Sequence, residues 1–252
     1  MKSKFAALVA AGALAAAGTA GAQTVIFEDD FEAYNESADV IATAEWTEFT
    51  LDAELVTDEE AFSGTNAIKE PQTAGSLIGG HAPVDAADVT VEAPLVVTVM
   101  YFDADAETGG AGIGLRSGLT YGSYEEGTFA GGDLNNFFAI GVNHHDVGDE
   151  IYGGRVVFGG DGWTAFDGEN DTTEILRETG WRELQLRIYP DLVEFYVDGV
   201  LGASDTYSAV PAWDSMRVGA FAGTAQSLDI YFDDISVVLE DDEVGVEDWH
   251  MF

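Results

Sequence analysis

Two groups of carboxylates stand near opposite ends of the chain, Glu28-Asp29-Asp30-Phe31-Glu32 and Asp233-Asp234. Neither has a basic residue close by in sequence. Brought together, they would repel strongly, and a bound cation would relieve that cost. Carboxylate and carbonyl oxygens are the donors that Ca²⁺ prefers. The acids therefore read either as a calcium site or as ordinary solvated acids of an acidic protein. What could bring them together is legible around Asp233-Asp234. Leu228, Ile230 and Phe232 share one parity, and Ile235, Val237 and Leu239 share the other. A regular strand cannot bury both sets on one face. One extra residue at Asp233-Asp234, a β-bulge, resets the alternation and turns a carboxylate out of the ladder. If the first and last strands pair, the two acid groups converge there.

Other polar clusters offer less. Asp103-Ala104-Asp105-Ala106-Glu107-Thr108-Gly109 has acids at alternate positions, but its glycine comes one place late for an EF-hand and Gly114 stands where the bidentate Glu belongs. It reads as an acidic hairpin loop. In Asn143-His144-His145-Asp146, adjacent histidines on a strand would point to opposite faces. No His-Glu-x-x-His or Gly-x-Ser-x-Gly sequence occurs. Gly112-Ile113-Gly114-Leu115-Arg116-Ser117-Gly118 lacks the dinucleotide spacing and precedes no helix, so nucleotide binding is rejected. Sugar rings stack on aromatic faces, and Tyr121, Tyr124, Tyr152, Trp163 and Trp213 lie in loop-like or glycine-rich stretches suited to that task. Trp46 and Trp181 read as core residues.

Strands dominate the elements that must position these groups. Leu184, Leu186 and Ile188 alternate with Gln185 and Arg187, and Val193, Phe195 and Val197 alternate with Glu194, Tyr196 and Asp198. These two strands meet at Pro190-Asp191. Leu95 to Phe102 is a nearly continuous apolar run and reads as a central strand covered on both faces. Further strands are expected over 46–56, 66–70, 76–81, 112–116, 137–143, 155–158, 216–222 and 228–238. No long helical period is present. Thirty glycines punctuate the strands, a pattern of sandwiches and barrels.

The first 22 residues have a basic start, an Ala-rich apolar run and the small-residue site Ala20-Gly21-Ala22. They read as a secretory signal peptide cut before Gln23, with no membrane insertion afterwards. Residues 23–239 form the expected domain, and 240–252 an acidic, disordered tail. The protein is expected outside the cytoplasm, either secreted, periplasmic or at the cell surface. The 47 acidic residues against 9 basic ones exclude nucleic acid as a partner. Spread along the whole chain, these acids suit a salty exterior, as in halophiles. Stability should then fall in dilute buffer. There is no cysteine, so disulfides play no part.

Asp30-Phe31-Glu32-x-Tyr34, a Trp at position 46 and Ala61-Phe62-Ser63-Gly64-Thr65-Asn66-Ala67 resemble the opening of concanavalin A-like, laminin-G-like jelly-roll modules. The hairpin 181–199 and Phe232-Asp233-Asp234-Ile235 resemble their close. The resemblance implies an all-β, two-sheet antiparallel jelly-roll sandwich similar to carbohydrate-binding modules. It implies a structural Ca²⁺ between Asp30 or Glu32 and Asp233 or Asp234, completed by carbonyl oxygens of the Ser63-Gly64 loop. The expected role is non-catalytic binding of a polysaccharide, a cell-surface glycan or another extracellular surface. Laminarinase-type hydrolases of this class carry Glu-x-Asp-x-x-Glu on one strand, and no such run occurs here. A polysaccharide-degrading enzyme of the same fold stays open, either a glycoside hydrolase with an unrecognised acid pair or a lyase with a Tyr or His base and an Arg or Lys, as does a structural envelope or matrix role.

Overall fold

The computed structural model describes residues 23–43, 46, 48–50, 54–57, 59–70, 76–84, 88–104, 110–116, 137–143, 147–148, 150–156, 162–207, 213–220 and 229–240. Its strands are β1 (Gln23–Asp29), β2 (Glu48–Thr50), β3 (Glu54–Thr57), β4 (Asn66–Glu70), β5 (Ser76–Val84), β6 (Leu95–Asp103), β7 (Gly110–Arg116) and β8 (Phe137–Asn143). They continue as β9 (Gly153–Val156), β10 (Trp163–Ala165), β11 (Gly180–Ile188), β12 (Leu192–Val197), β13 (Val200–Thr206), β14 (Trp213–Ala220) and β15 (Ile230–Glu240). One short helix, α1, spans Ser37–Ile41.

The strands form two antiparallel sheets. The first runs β13-β12-β11-β6-β15-β4-β3, with β1 also on β15. The second runs β10-β9-β8-β7-β14-β5-β2. The period-two faces explain why they pack. Leu95, Val97, Val99 and Tyr101 of β6, Leu184, Leu186 and Ile188 of β11, and Val193 and Phe195 of β12 point inward from the first sheet and are fully buried. They share one core with Ile113, Ile140, Val142 and Val218 of the second. Burial of this apolar surface at about 25 cal/mol per Å² is the main stabilising term. The all-β sandwich expected from the alternation is the architecture observed.

Several boundaries differ from the sequence reading. The single strand expected over 46–56 is two strands, β2 in the second sheet and β3 in the first, so the chain crosses the sandwich between Thr50 and Glu54. In β6 the outward Thr98, Met100 and Phe102 are half-buried, so that face is only partly covered, unlike the inward one. The edge strands β10 and β13 and the helix α1 are elements the sequence reading did not anticipate. β15 extends through Glu240, and residues 1–22 and 241–252 lie outside the described residues.

Candidate functional site

The bulge at Asp233-Asp234 is present, and its cause is a change of neighbour. On one side β15 follows β6 throughout, with one extra residue between Asp233, opposite Met100, and Ser236, opposite Thr98. On the other side Ile230–Phe232 pair with β4, while Ile235–Glu240 pair with β1. The bulge sits where β15 leaves one partner for the other. Asp234 takes a left-handed backbone there, with φ 43°. As expected, the first and last strands are neighbours, with Asp29 opposite Ile235.

The carboxylates at this junction are engaged by N–H and O–H donors. Asp233, fully buried, accepts the backbone N–H groups of Phe62 at 2.9 Å and Ser63 at 3.0 Å on one oxygen and that of Asp234 at 2.8 Å on the other. The Ser63 hydroxyl donates to Asp234 at 2.8 Å. Glu32 accepts the N–H groups of Thr65 at 2.8 Å and Asn66 at 2.6 Å. Asp29 accepts the Phe31 N–H at 2.8 Å, the Tyr34 hydroxyl at 2.9 Å and the Trp46 indole N–H at 2.6 Å. Asp30 accepts the Glu32 N–H at 3.1 Å. Loop 61–65 is thus stapled at one end by Asp233 and at the other by Glu32. The staple dictates Gly64. Its φ is 57°, and a Cβ there would lie 2.2 Å from Cδ of Glu32. The N–H donors of Thr65 and Asn66 hold the Glu32 carboxyl below its usual range. Burial pushes Asp233 up to about 6, against its own N–H donors.

Glu32 and Asp233, two of the acids that the resemblance assigns to calcium, each accept two or more backbone N–H groups, donors with which a cation would compete. Asp30 and Asp234 do line one cleft of about 550 Å³, with Glu28, Asp29, Tyr34 and Ser236. Among the described residues no group of three or more His, Cys, Asp or Glu is placed to hold a metal ion.

A second polar cluster lies at the C-terminal end of β6. Asp103, read from sequence as part of an acidic loop, is the last residue of that strand and fully buried. Arg177 meets it in a two-pronged ion pair, Nε at 2.9 Å and Nη2 at 2.7 Å, and the Tyr152 hydroxyl donates to it at 2.8 Å. Burial, then the adjacent Asp103 charge, pushes the Tyr152 phenol above its ordinary range. Burial works against the Arg177 charge, yet Asp103 holds the guanidinium above its ordinary range. The expectation that Tyr152 is a loop aromatic for sugar stacking is corrected: the ring is fully buried and its hydroxyl is spent on Asp103. Trp163, also expected in a loop, opens the edge strand β10 opposite Arg155 and is half-buried. Trp213 opens β14, opposite Val84. Tyr121 and Tyr124 lie outside the described residues.

An aromatic row that the sequence reading did not single out crosses the outer face of the first sheet. Trp181 of β11 stands opposite Phe102 of β6, Phe102 opposite Tyr231 of β15, and Tyr231 opposite Lys69 of β4. Ring centroids are 5.4 Å apart for Trp181 and Phe102 and 5.9 Å for Phe102 and Tyr231, edge to face. Phe62, 49% exposed, extends the row at 5.7 Å from Trp181. Trp181 is therefore outside the core between the sheets; half-buried, it packs against a smaller outer cluster of Val56, Ala67 and the buried Tyr231. The parity of Trp181 is that of Glu183, Gln185 and Arg187, a signal the sequence already carried. The row is joined to the acid junction, because the N–H that Asp233 accepts belongs to Phe62. At its border Lys69 lies between Glu59 and Asp229, at 3.1 Å from each. Arg182, which has the parity of the inward Leu184 and Leu186, is on the opposite face of β11 from Trp181 and lies between Glu178 at 2.7 Å and Asp198 at 2.8 Å.

No protein-family model and no curated protein sequence matches the chain. Solved structures do. A carbohydrate esterase of the Shiga toxin-encoding bacteriophage phi24B matches with a TM-score of 0.54 and 17% identity, over 87% of this chain and 100% of that one. A sialidase matches with a TM-score of 0.50 and 13% identity, over 84% of this chain and 18% of that one. The chain shares their β-rich fold. At such identities the likeness shows the fold alone.

Proposed function

We propose that this protein is a secreted, non-catalytic domain that binds polysaccharide, built on the concanavalin A-like, laminin-G-like plan. The observation that carries the reading is the aromatic row Phe62–Trp181–Phe102–Tyr231. It opens to solvent at Phe62 and is bordered by carboxylates that can accept sugar hydroxyls. Apolar faces ringed by a few fixed polar groups are the usual chemistry of a ligand site. The two similar structures, a carbohydrate esterase and a sialidase, agree with a carbohydrate ligand. The site moves from the loops, where the sequence suggested it, to a sheet face.

Retention on insoluble polysaccharides tests the reading. Phe62→Ala removes an exposed ring and should weaken binding about tenfold, or about 1.4 kcal/mol, with the melting temperature nearly unchanged. Trp181→Ala should weaken it at least as much. Full retention by both variants, or release of reducing or unsaturated ends by the native protein, would overturn non-catalytic binding on this face.

A further inference from the structure

We infer that the aromatic row selects an uncharged glycan chain and rejects uronate-bearing or sulfated ones. The inference rests on the glycan reading above and adds the ligand's charge class to it. Acidic polysaccharides are held by free cations at the contact, best by guanidinium groups facing carboxylate or sulfate oxygens. The described basic side chains on and beside this face are already committed. Lys69 sits between two carboxylates and over the Tyr231 ring, 6.0 Å from its centroid. Arg187, of the same outward parity as Trp181, holds both oxygens of Glu240 at 2.9 Å and 2.7 Å. The border cluster of Lys69 with Glu59 and Asp229 carries one more negative charge than positive. An arriving sulfate or uronate finds no uncommitted cation among the described residues of this face, and a border of like charge. A neutral sugar finds apolar rings for its C–H face and carboxylate acceptors for its hydroxyls, since an ionised carboxylate only accepts hydrogen bonds. The chain's net charge of −38 acts in the same direction at long range.

The test uses the full secreted protein with four immobilised probes: a neutral β-glucan, a neutral mannan, a polyuronate and a sulfated galactan. Binding is measured in dilute buffer and in 1 M NaCl, where the screening length falls to about 3 Å and only contact-range charge still discriminates. At least one neutral chain should bind tenfold or more tightly than both anionic chains in 1 M NaCl. Phe62→Ala should weaken that binding about tenfold. The double variant Glu59→Gln, Asp229→Asn frees Lys69 and should raise polyuronate binding severalfold while β-glucan or mannan binding holds. Equal binding of neutral and anionic chains in 1 M NaCl overturns the selectivity but leaves the glycan reading standing. Retention of none of the four overturns both. An unchanged polyuronate affinity in the double variant, with an unchanged melting temperature, assigns the rejection to something other than the spent cations and overturns the inference.

Discussion

Asp103 and Asp233 are both fully buried, on the adjacent strands β6 and β15 of one sheet, yet they are answered in opposite ways. Asp103 is met by a charge, Arg177, with Tyr152 as a second donor. Asp233 is met by backbone, the N–H groups of Phe62, Ser63 and Asp234. The first arrangement ties together segments far apart in sequence and keeps both ions out of water. The second fixes a loop and leaves the carboxyl a choice of protonation state. A buried carboxylate can thus serve as half of a locked ion pair or as the acceptor that shapes a turn, and the donors decide which.

The comparison breaks most clearly at Arg177. Arg177→Met strands a buried carboxylate and should cost about 3–5 kcal/mol in denaturant unfolding. Arg177→Met combined with Asp103→Leu should recover much of that loss, because neither charge is then unpaired. A double variant no better than the single one would show that the pair is not an isolated unit. Asp233→Ala removes an acceptor from three N–H groups and should cost about 1–3 kcal/mol. It should also release Phe62 and so weaken polysaccharide binding, whereas Arg177→Met should leave binding per folded molecule intact.

A gentler probe of the same contrast is pH. Burial raises the Asp233 carboxyl to about 6 from its ordinary 3.8. A group raised in the folded state contributes stability that is full below its unfolded value and is lost as pH rises through the folded one. The native protein should therefore lose stability relative to Asp233→Asn between about pH 4 and 6. Parallel stability curves across that window would contradict the burial argument. The smallest expected effect is that of chelation. With the junction carboxylates occupied by N–H donors, EDTA should leave the melting temperature unchanged. A bound ion at a hundredfold excess over its Kd would contribute about 2.7 kcal/mol, so a fall of several degrees on chelation would restore calcium to this junction.

The parity flip at Asp233-Asp234 made the bulge and the convergence of the two chain ends legible, because alternation is a local signal with long-range meaning. The hairpin of β11 and β12 was legible for the same reason. The crossing between β2 and β3 was not, since a strand that changes sheet can keep its alternation. β13 escaped because Gly202-Ala203-Ser204-Asp205 has no apolar alternation, as an edge strand with one half-exposed side needs little. The pairing of Asp103 with Arg177 joins residues 74 apart and leaves no mark in either neighbourhood. Tyr152 and Trp181 exchanged roles. A glycine-rich setting suggested a surface for the first, but the adjoining Gly153-Gly154 continues into β9 and lets strands approach closely. The aromatic bulk of the second suggested a core, although its parity said otherwise.

The change of neighbour at the bulge also fixes when the molecule can become whole. Among the described residues β1 pairs with β15 alone, and Gln23 stands opposite Glu240, more than two hundred residues away. As the chain emerges from its N-terminus, the first strand, the loop that carries Phe62 and the central strand β6 must all wait for the last strand to join them. Closure over so long a span is slow, because the chain entropy is surrendered before the contacts repay it. Until it happens, β6 offers an unpaired apolar edge and the Phe62 loop has no Asp233 to hold it. The face that carries Phe62 is thus completed only once β15 has been made and has paired, so the aromatic row and the closed sheet form in the same event.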